Sequence, residues 1–244
     1  MDVEIPASIA AAWGLRERPT KGPKRALTLD GIVAAGIKVA VTEGLPAVSM
    51  ARVATEIGAS TMSLYRYVAS KDELLSLMVD AAYGDPPETD PRAQGWRDGL
   101  NFFARAEREA LARHPWIVLV PIDGPPVAPH QTSWLEWGLA TMHATGLTPH
   151  EKLEVMLLVT MFTRNEALVG AQISAAQKAA GSTNEQSMSA YRAILSQLLD
   201  PQRFPEMLAV LDSGIFDLPD DPEFEFEFGL ARILDGIEAL VRQR

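Results

Sequence analysis

The chain has no cysteine. That excludes disulfide staples, thiolate metal sites and cysteine nucleophiles, and it fits a reducing, cytoplasmic setting. Histidine is nearly as scarce. His114, His130, His143 and His150 are scattered, with no H-E-x-x-H and no i, i+4 ligand pair, so no metal is expected. There is no G-x-S-x-G elbow, no G-x-G-x-x-G turn and no phosphate loop, so no catalytic residue and no cofactor is assigned. Long apolar runs are absent too. The longest, near Val155 to Phe162, falls far short of the roughly 20 residues a membrane span needs, so no membrane partner is expected. The opening MDVEIPASIAAAWGLRERP is acidic before it is apolar, and Pro6 breaks the apolar stretch, so it does not read as a signal peptide.

Positive charge is in short supply as well, with a net charge of -10 over 244 residues. Its distribution is uneven. Residues 1–75 hold nine Lys/Arg against eight Asp/Glu, and the remainder hold thirteen against twenty-four. Arg16, Arg18, Lys21, Lys24 and Arg25 face Glu17 alone in the Pro- and Gly-rich stretch GLRERPTKGPKR. Residues 1–26 are therefore expected to form a flexible basic arm. Such an arm either follows phosphates or enters a minor groove, or is a solvated linker. The acidic remainder would face away from a polyanion and oppose nonspecific adhesion.

Residues 27–84 carry the pattern of a small helical unit. Thr28 is a plausible N-cap, and Ile32, Ala35, Gly36, Val39 and Ala40 fall on one helical face, with Gly44 as the stop. Ser49 caps a second short helix with Val53, Ala54 and Ile57 inside, ended by Gly58. Only Ala59 separates Gly58 from Ser60, the cap of a third helix, which is the spacing of a helix-turn-helix. Leu64 and Val68 anchor that third helix, leaving Thr61, Met62, Ser63, Tyr65, Arg66 and Tyr67 outward. Ser70 to Glu73 reads SKDE, a capping box that starts a fourth helix with Leu74, Leu75, Met78 and Val79 inward. Lys71 lies in its first turn, where a phosphate would meet an ammonium and free backbone N–H groups. The outward hydroxyls suit phosphate oxygens, Arg66 suits a guanine edge or a phosphate, and Met62 and the Thr61 methyl suit a thymine methyl.

At these residues the segment resembles the tetracycline-repressor (TetR) family of bacterial transcriptional regulators. The run from Val48 to Leu75, with LYRYV and SKDELL, is similar to that family's second to fourth helices. The resemblance implies that Thr61, Met62, Ser63, Tyr65, Arg66 and Tyr67 are the recognition-helix contacts and Lys71 the phosphate contact after them. Ser49 stands where the family usually has a phosphate-touching threonine, so it joins the DNA-binding set. Ala51 stands where many members carry a base-reading arginine, which shifts readout onto the third helix. The histidines that serve magnesium in tetracycline-binding members have no matching positions, so neither metal nor tetracycline is carried over.

Gly84 to Arg92, GDPPETDPR, is a Pro-rich break and candidate hinge. Beyond it, helices are expected over Ala93 to Arg113, Gln131 to Thr145, a long stretch from the Thr148–Glu151 capping box, Asn184 to Leu199, Gln202 to Leu211, and from Asp221 onward. The long helix is apolar on more than one face through Leu157, Leu158, Met161 and Phe162, so both sides need cover. Together with the last helix it suggests an intermolecular four-helix bundle, and the resemblance implies a homodimer built that way. FEFEF alternates like a strand, but Phe224 and Phe228 continue a helical stripe into Leu230, Ile233 and Leu234.

The expected architecture is all-α, with an N-terminal three-helix helix-turn-helix DNA-binding domain (27–84) and a larger C-terminal helical ligand-binding and dimerisation domain (85–244). Phe103, Trp116, Trp134, Trp137, Met142, Met161 and Phe162, with Asn165 among the polar interruptions of the long helix, are candidates for a ligand pocket, or for plain core. The expected function is a ligand-responsive repressor that binds a palindromic double-stranded operator as a homodimer and is released by a small-molecule effector. An activator or an effector-independent regulator shares every feature of the first domain. A helical enzyme or interaction module is the remote alternative.

Overall fold

A computed structural model describes residues 5–15, 27–122, 124–218 and 221–244. Every regular element among them is helical. In chain order they are α1 (Ala7–Ala12), α2 (Leu29–Glu43), α3 (Met50–Glu56), α4 (Thr61–Leu64), α5 (Lys71–Tyr83), α6 (Trp96–Arg113), α7 (Pro129–Thr141), α8 (Pro149–Ala180), α9 (Asn184–Leu198), α10 (Pro205–Asp212) and α11 (Pro222–Val241). A short 3-10 turn, Pro115–Leu119, follows α6.

Helices α2 to α5 form a head. The caps expected at its helix starts are made. Thr28 accepts from Gly31 N, Ser49 from Arg52 N, Ser60 from Ser63 N and Ser70 from Glu73 N. Each satisfies one backbone donor that a helix start leaves orphaned. Gly58 turns the chain between α3 and α4 at φ +67, where a Cβ would be strained. Ile32, Val39, Val53, Leu64 and Leu74 are fully buried and close the head around α2.

Three local expectations differ from the structure. Residues 1–26 were expected to be a flexible arm, yet Ala7–Ala12 is helical and seats Ile9 in the core. Its alanines favour helix, and the Ser8 hydroxyl donates to Glu73. The basic residues of that stretch, 16–26, lie outside the described residues. The capping box at Ser70 is half formed: the Glu73 side chain accepts from Ala69 N and Ser8 rather than from Ser70 N. Third, the recognition helix is a single turn, and the chain leaves it through turns at 65–67.

Helices α6, α7, α8 and α11 build the body. α6 packs on α7, α8 and α11, and the 3-10 turn packs on α8. α6 starts at Trp96 rather than at residue 93, because Asp90 folds the preceding residues into a turn, accepting from Arg92 N and Ala93 N. α7 starts at Pro129 and α10 at Pro205, each proline taking a first-turn position where its missing N–H costs nothing. α8 carries the expected Thr148–Glu151 box and ends at Gly181 in the left-handed region. Phe226 is buried on α11 while Phe224 and Phe228 are exposed, so the alternating run puts its middle ring inside.

The hydrophobic core runs unbroken from head to body, from Ile32 through Tyr83 to Trp134 and Ile237. Leu64 is the fully buried residue of the one-turn helix α4. Leu64→Ala is expected to lower stability by about 2–5 kcal/mol, read by urea unfolding, because α4 has no second buried side chain to hold it.

Candidate nucleic-acid interface and helical core

The outward tip of the head is formed by α4, the turns after it and the start of α5. Met62, Tyr65, Arg66 and Lys71 are exposed, Met62 at 76%. Such an exposed thioether is a cost in water and suits an apolar contact on a partner. Thr61 and Ser63 are half-exposed, and the Ser63 hydroxyl sits 2.8 Å from that of Ser60. Ser49 caps α3 with its hydroxyl. Tyr67 departs from the expected outward set: it is half-buried and packs on the core. Three residues from Leu64 and next to Val68, it sits at the edge of the anchoring face.

Sequence reading passed over Arg52. Its guanidinium is held by Glu43, with Nε 3.0 Å from Oε1, and by Glu56 Oε2 at 2.8 Å, while Lys38 pairs with Glu56 at 2.5 Å. The arginine is committed to clamping α3 onto α2. Hydrogen bonding to Arg52 lowers the Glu43 pKa, and that to Lys38, then Arg52, lowers the Glu56 pKa. The i, i+4 spacing of Arg52 and Glu56 was the signal for part of this network. Arg66 and Lys71 are then the cations of the described head that have no acid partner.

Head and body meet at α5. Asp80 is 3% exposed and accepts from Gln131 N at 2.9 Å and pairs with His130 Nδ1 at 2.8 Å. Trp134 Nε1 donates to Gly84 O and Trp137 Nε1 to Thr89 O, both at 3.0 Å. Tyr83 meets Trp134 edge-on, with ring centroids 6.1 Å apart. The first two turns of α7 therefore grip the end of the reading head. No sequence pattern pointed to Asp80, because its partners lie some 50 residues on.

The eight candidate pocket residues do not line one cavity. Phe103, Trp134, Trp137 and Met142 are core, with Phe103 5.8 Å from Trp134 and 6.1 Å from Trp137 between ring centroids. Trp116 is buried in the 3-10 turn. Phe162 is half-buried and stacks on Phe226 at 5.6 Å. Met161 is 63% exposed and Asn165 is exposed. The reason is helical phase. Val155, Val159 and Thr163 define the buried face of α8, and residues two away point to the opposite side. Trp137 borders an open cleft of about 480 Å³ with Trp13, Pro86, Pro91, Arg92 and Glu136.

Three polar side chains, Tyr83, Glu107 and Arg164, lie close together in the body. Arg164 donates to the carbonyls of Ile117, Val118 and Val120, at 3.2, 3.4 and 2.8 Å. Burial pushes the Glu107 carboxyl up to about 8, with the Thr160 hydroxyl and Arg164 pulling weakly the other way. Burial also raises the Tyr83 phenol, and the Glu107 charge adds to that. Glu166 pairs with Arg108, whose guanidinium also lies 4.4 Å over the Phe226 ring.

Two family patterns match this chain. Residues 32–78 match "Bacterial regulatory proteins, tetR family", and residues 87–241 match "Tetracyclin repressor-like, C-terminal domain". The HTH-type transcriptional repressor DrrR1 of Streptomyces coeruleorubidus is 36% identical over 99% of this chain and 88% of its own length. The HTH-type transcriptional repressor Rv1353c of Mycobacterium tuberculosis is 25% identical over 94% of this chain and 86% of its own. The crystal structure of the Streptomyces coelicolor TetR family protein ActR in complex with actinorhodin superposes with a TM-score of 0.75 at 25% identity, covering 88% of this chain and 97% of that one.

A carboxyl raised in the folded state contributes stability that is full below its unfolded value, 4.5, and is lost as pH rises through about 8. Denaturant unfolding between pH 5 and pH 9 is expected to show that decline in the parent. Glu107→Gln is expected to remove most of it; an unchanged slope would place the titration elsewhere.

Proposed function

The chain belongs to the tetR family of bacterial regulatory proteins, and from that premise we propose that it is a repressor that binds a palindromic operator as a homodimer and is released by a small organic effector. It is a DNA-binding transcriptional regulator and not an enzyme. The observation that carries the reading is the tip of the head. Exposed Met62, Tyr65, Arg66 and Lys71 project from α4, the turn after it and the start of α5, and Arg66 and Lys71 are cations left unpaired while Arg52 and Lys38 are used internally. In this reading residues 27–84 are the DNA-reading unit and 85–244 the effector and dimer unit. Thr61, Ser63 and Ser49 supply hydroxyl or backbone contacts to phosphates, and Tyr67 supports the turn from within.

Homodimerisation is supported by the apolar surface left uncovered on α8 and α11. Leu153, Leu157, Leu158 and Met161 are exposed on α8, and Phe224 and Phe228 on α11. Two copies would place their α4 tips in successive major grooves, about 34–36 Å apart or somewhat more. Effector release is supported by the ActR structures with bound small molecules. It is also supported by the continuity of α5, which carries the reading tip at one end and Asp80 and Tyr83 in the body at the other. An effector that favours a body conformation with the heads misplaced weakens DNA binding by the same factor by which DNA weakens effector binding.

Arg66→Ala is expected to cost roughly 1–3 kcal/mol of operator binding and to relax preference at one base position. Lys71→Ala is expected to weaken all sequences alike and to lower the salt slope by about 1. Mobility shifts with the operator recovered by genomic pull-down measure both, and two variants that bind like the parent would refute the interface. Leu158→Glu, which puts a charge on the uncovered face of α8, is expected to convert the dimer to monomer by light scattering and to abolish operator binding. A dimeric Leu158→Glu protein would move the interface elsewhere.

A further inference from the structure

The head is tied to the body at a second place besides α5. α1 packs on α2 and seats Ile9 in the core, and its Ser8 hydroxyl donates to Glu73 near the start of α5. Trp13, at the end of α1, reaches across to the body: its Nε1 donates to Val127 O, in the loop before α7, at 2.8 Å. That bond fixes the indole while the residue stays 45% exposed. A ring held in this way loses little further freedom when a flat ligand stacks on it.

Trp13 is one wall of the cleft of about 480 Å³ at the joint. Pro86, Pro91 and Arg92 of the segment between α5 and α6 form a second wall, and Glu136 and Trp137 of α7 a third. Trp137 is the fixed side, buried and bonded through its Nε1 to Thr89 O. The volume is that of a small-molecule site, and such sites favour the meeting of two structural units. Two indoles and two proline rings supply flat apolar faces, and two opposite charges stand among them. Neither the Arg92 guanidinium nor the Glu136 carboxylate has a hydrogen bond or ion pair to a described residue, whereas Arg97, Arg105 and Arg108 of α6 each hold an acid. A cation and an anion that border one cleft without pairing are both free to serve a ligand.

We propose that this cleft is the effector site and that its ligand is a planar aromatic carboxylic acid bearing a hydroxyl group. The ligand carboxylate accepts from Arg92, its hydroxyl donates to Glu136, and its rings lie between Trp13 and Trp137. The proposal rests on the effector-released reading above and gives that effector a place and a chemistry. A carboxylate suits a planar guanidinium, which donates two parallel N–H bonds to it. A hydroxyl suits an ionised carboxylate, which can only accept. The ligand touches α1, which is anchored in the head, and α7, which belongs to the body, at the same time. Binding therefore holds the head where Trp13 stays against the body, and an operator that needs another head position is released.

The test uses the full-length protein with 6-hydroxy-2-naphthoic acid as probe, and 2-naphthol and 2-naphthoic acid as counterparts that each lack one group. Calorimetric titration is expected to rank the probe above both. Arg92→Ala is expected to weaken the probe and 2-naphthoic acid by roughly 5-fold and to leave 2-naphthol as in the parent. Glu136→Ala is expected to weaken the probe and 2-naphthol by about the same factor and to spare 2-naphthoic acid. The spared ligand in each case shows that the variant is folded. Trp13→Ala is expected to weaken all three. Saturating probe is expected to lower the operator affinity of the parent by about 10-fold or more in mobility shifts. A parent that binds none of the three at millimolar concentration, variants that bind all three like the parent, or a bound probe that leaves operator affinity unchanged overturns the proposal. Those results in a protein that binds its operator overturn the site alone; a parent protein that binds no operator overturns the regulator reading.

Discussion

Asp80 is a carboxylate that has been taken out of water, and it must find its hydrogen bonds inside the protein. It finds them at the first turn of α7. The residue that caps the helix, Ala128, has no side-chain acceptor to offer its free N–H groups. Each partner therefore supplies what the other lacks: a helix start in need of an acceptor, and an anion suited to the positive end of a helix. The indole N–H groups of Trp134 and Trp137 extend the grip onto the carbonyls of Gly84 and Thr89. The Pro-rich stretch between α5 and α6 is not a loose hinge, because its backbone is held by the helix that packs beside it.

This joint makes α5 a member of both halves. Leu74 and Met78 close the head, and Tyr83 enters the aromatic cluster of the body. A helix is stiff over such a length, so a shift at Tyr83 or Asp80 reaches Lys71 without being absorbed on the way. Tyr83 is also the residue through which the buried Glu107–Arg164 region touches the head. The body-side joint at Asp80 and Tyr83 and the Lys71 end of the head are thus linked by one helix, which is the physical content that a claim of coupling requires.

Local signals in the sequence gave the head almost completely. Thr28, Ser49, Ser60 and Ser70 were legible as caps because capping is settled within three residues, and the Thr148–Glu151 box was legible on the same ground. Periodicity gave the helices of the body, but their ends moved wherever a proline or an aspartate turn decided the start, as at Pro129 and Asp90. The pocket was not legible. Met161, Phe162 and Asn165 were grouped by residue type, and the phase of α8 sends Met161 and Asn165 outward while Phe162 meets Phe226. Asp80 and Glu107 gave no signal either, because burial of an acid depends on partners far along the chain. Tyr67 is only partly outward, because at three residues from Leu64 and next to Val68 it lies at the edge of the anchoring face and packs on the core.

The reading tip works under a charge constraint. With Arg52 clamped by Glu43 and Glu56, and Lys38 paired with Glu56, the described head offers DNA only Arg66 and Lys71 as free cations. Each phosphate neutralised adds to the salt slope of binding, so these two cations by themselves add little counterion release, and Arg16, Arg18, Lys21, Lys24 and Arg25 lie outside the described residues. The chain as a whole is acidic at -10, which opposes approach to a polyanion at long range. In the proposed interface the described head adds short-range contacts to these two cations: the hydroxyls of Thr61 and Tyr65, the Met62 thioether, and the N–H groups of the helix starts. Such contacts are weak singly and depend on geometry. Presenting them twice, from the dimer we propose, would make their sum sensitive to the spacing of the two heads. On that reading, a small displacement of α5 is able to release contacts that depend so closely on geometry.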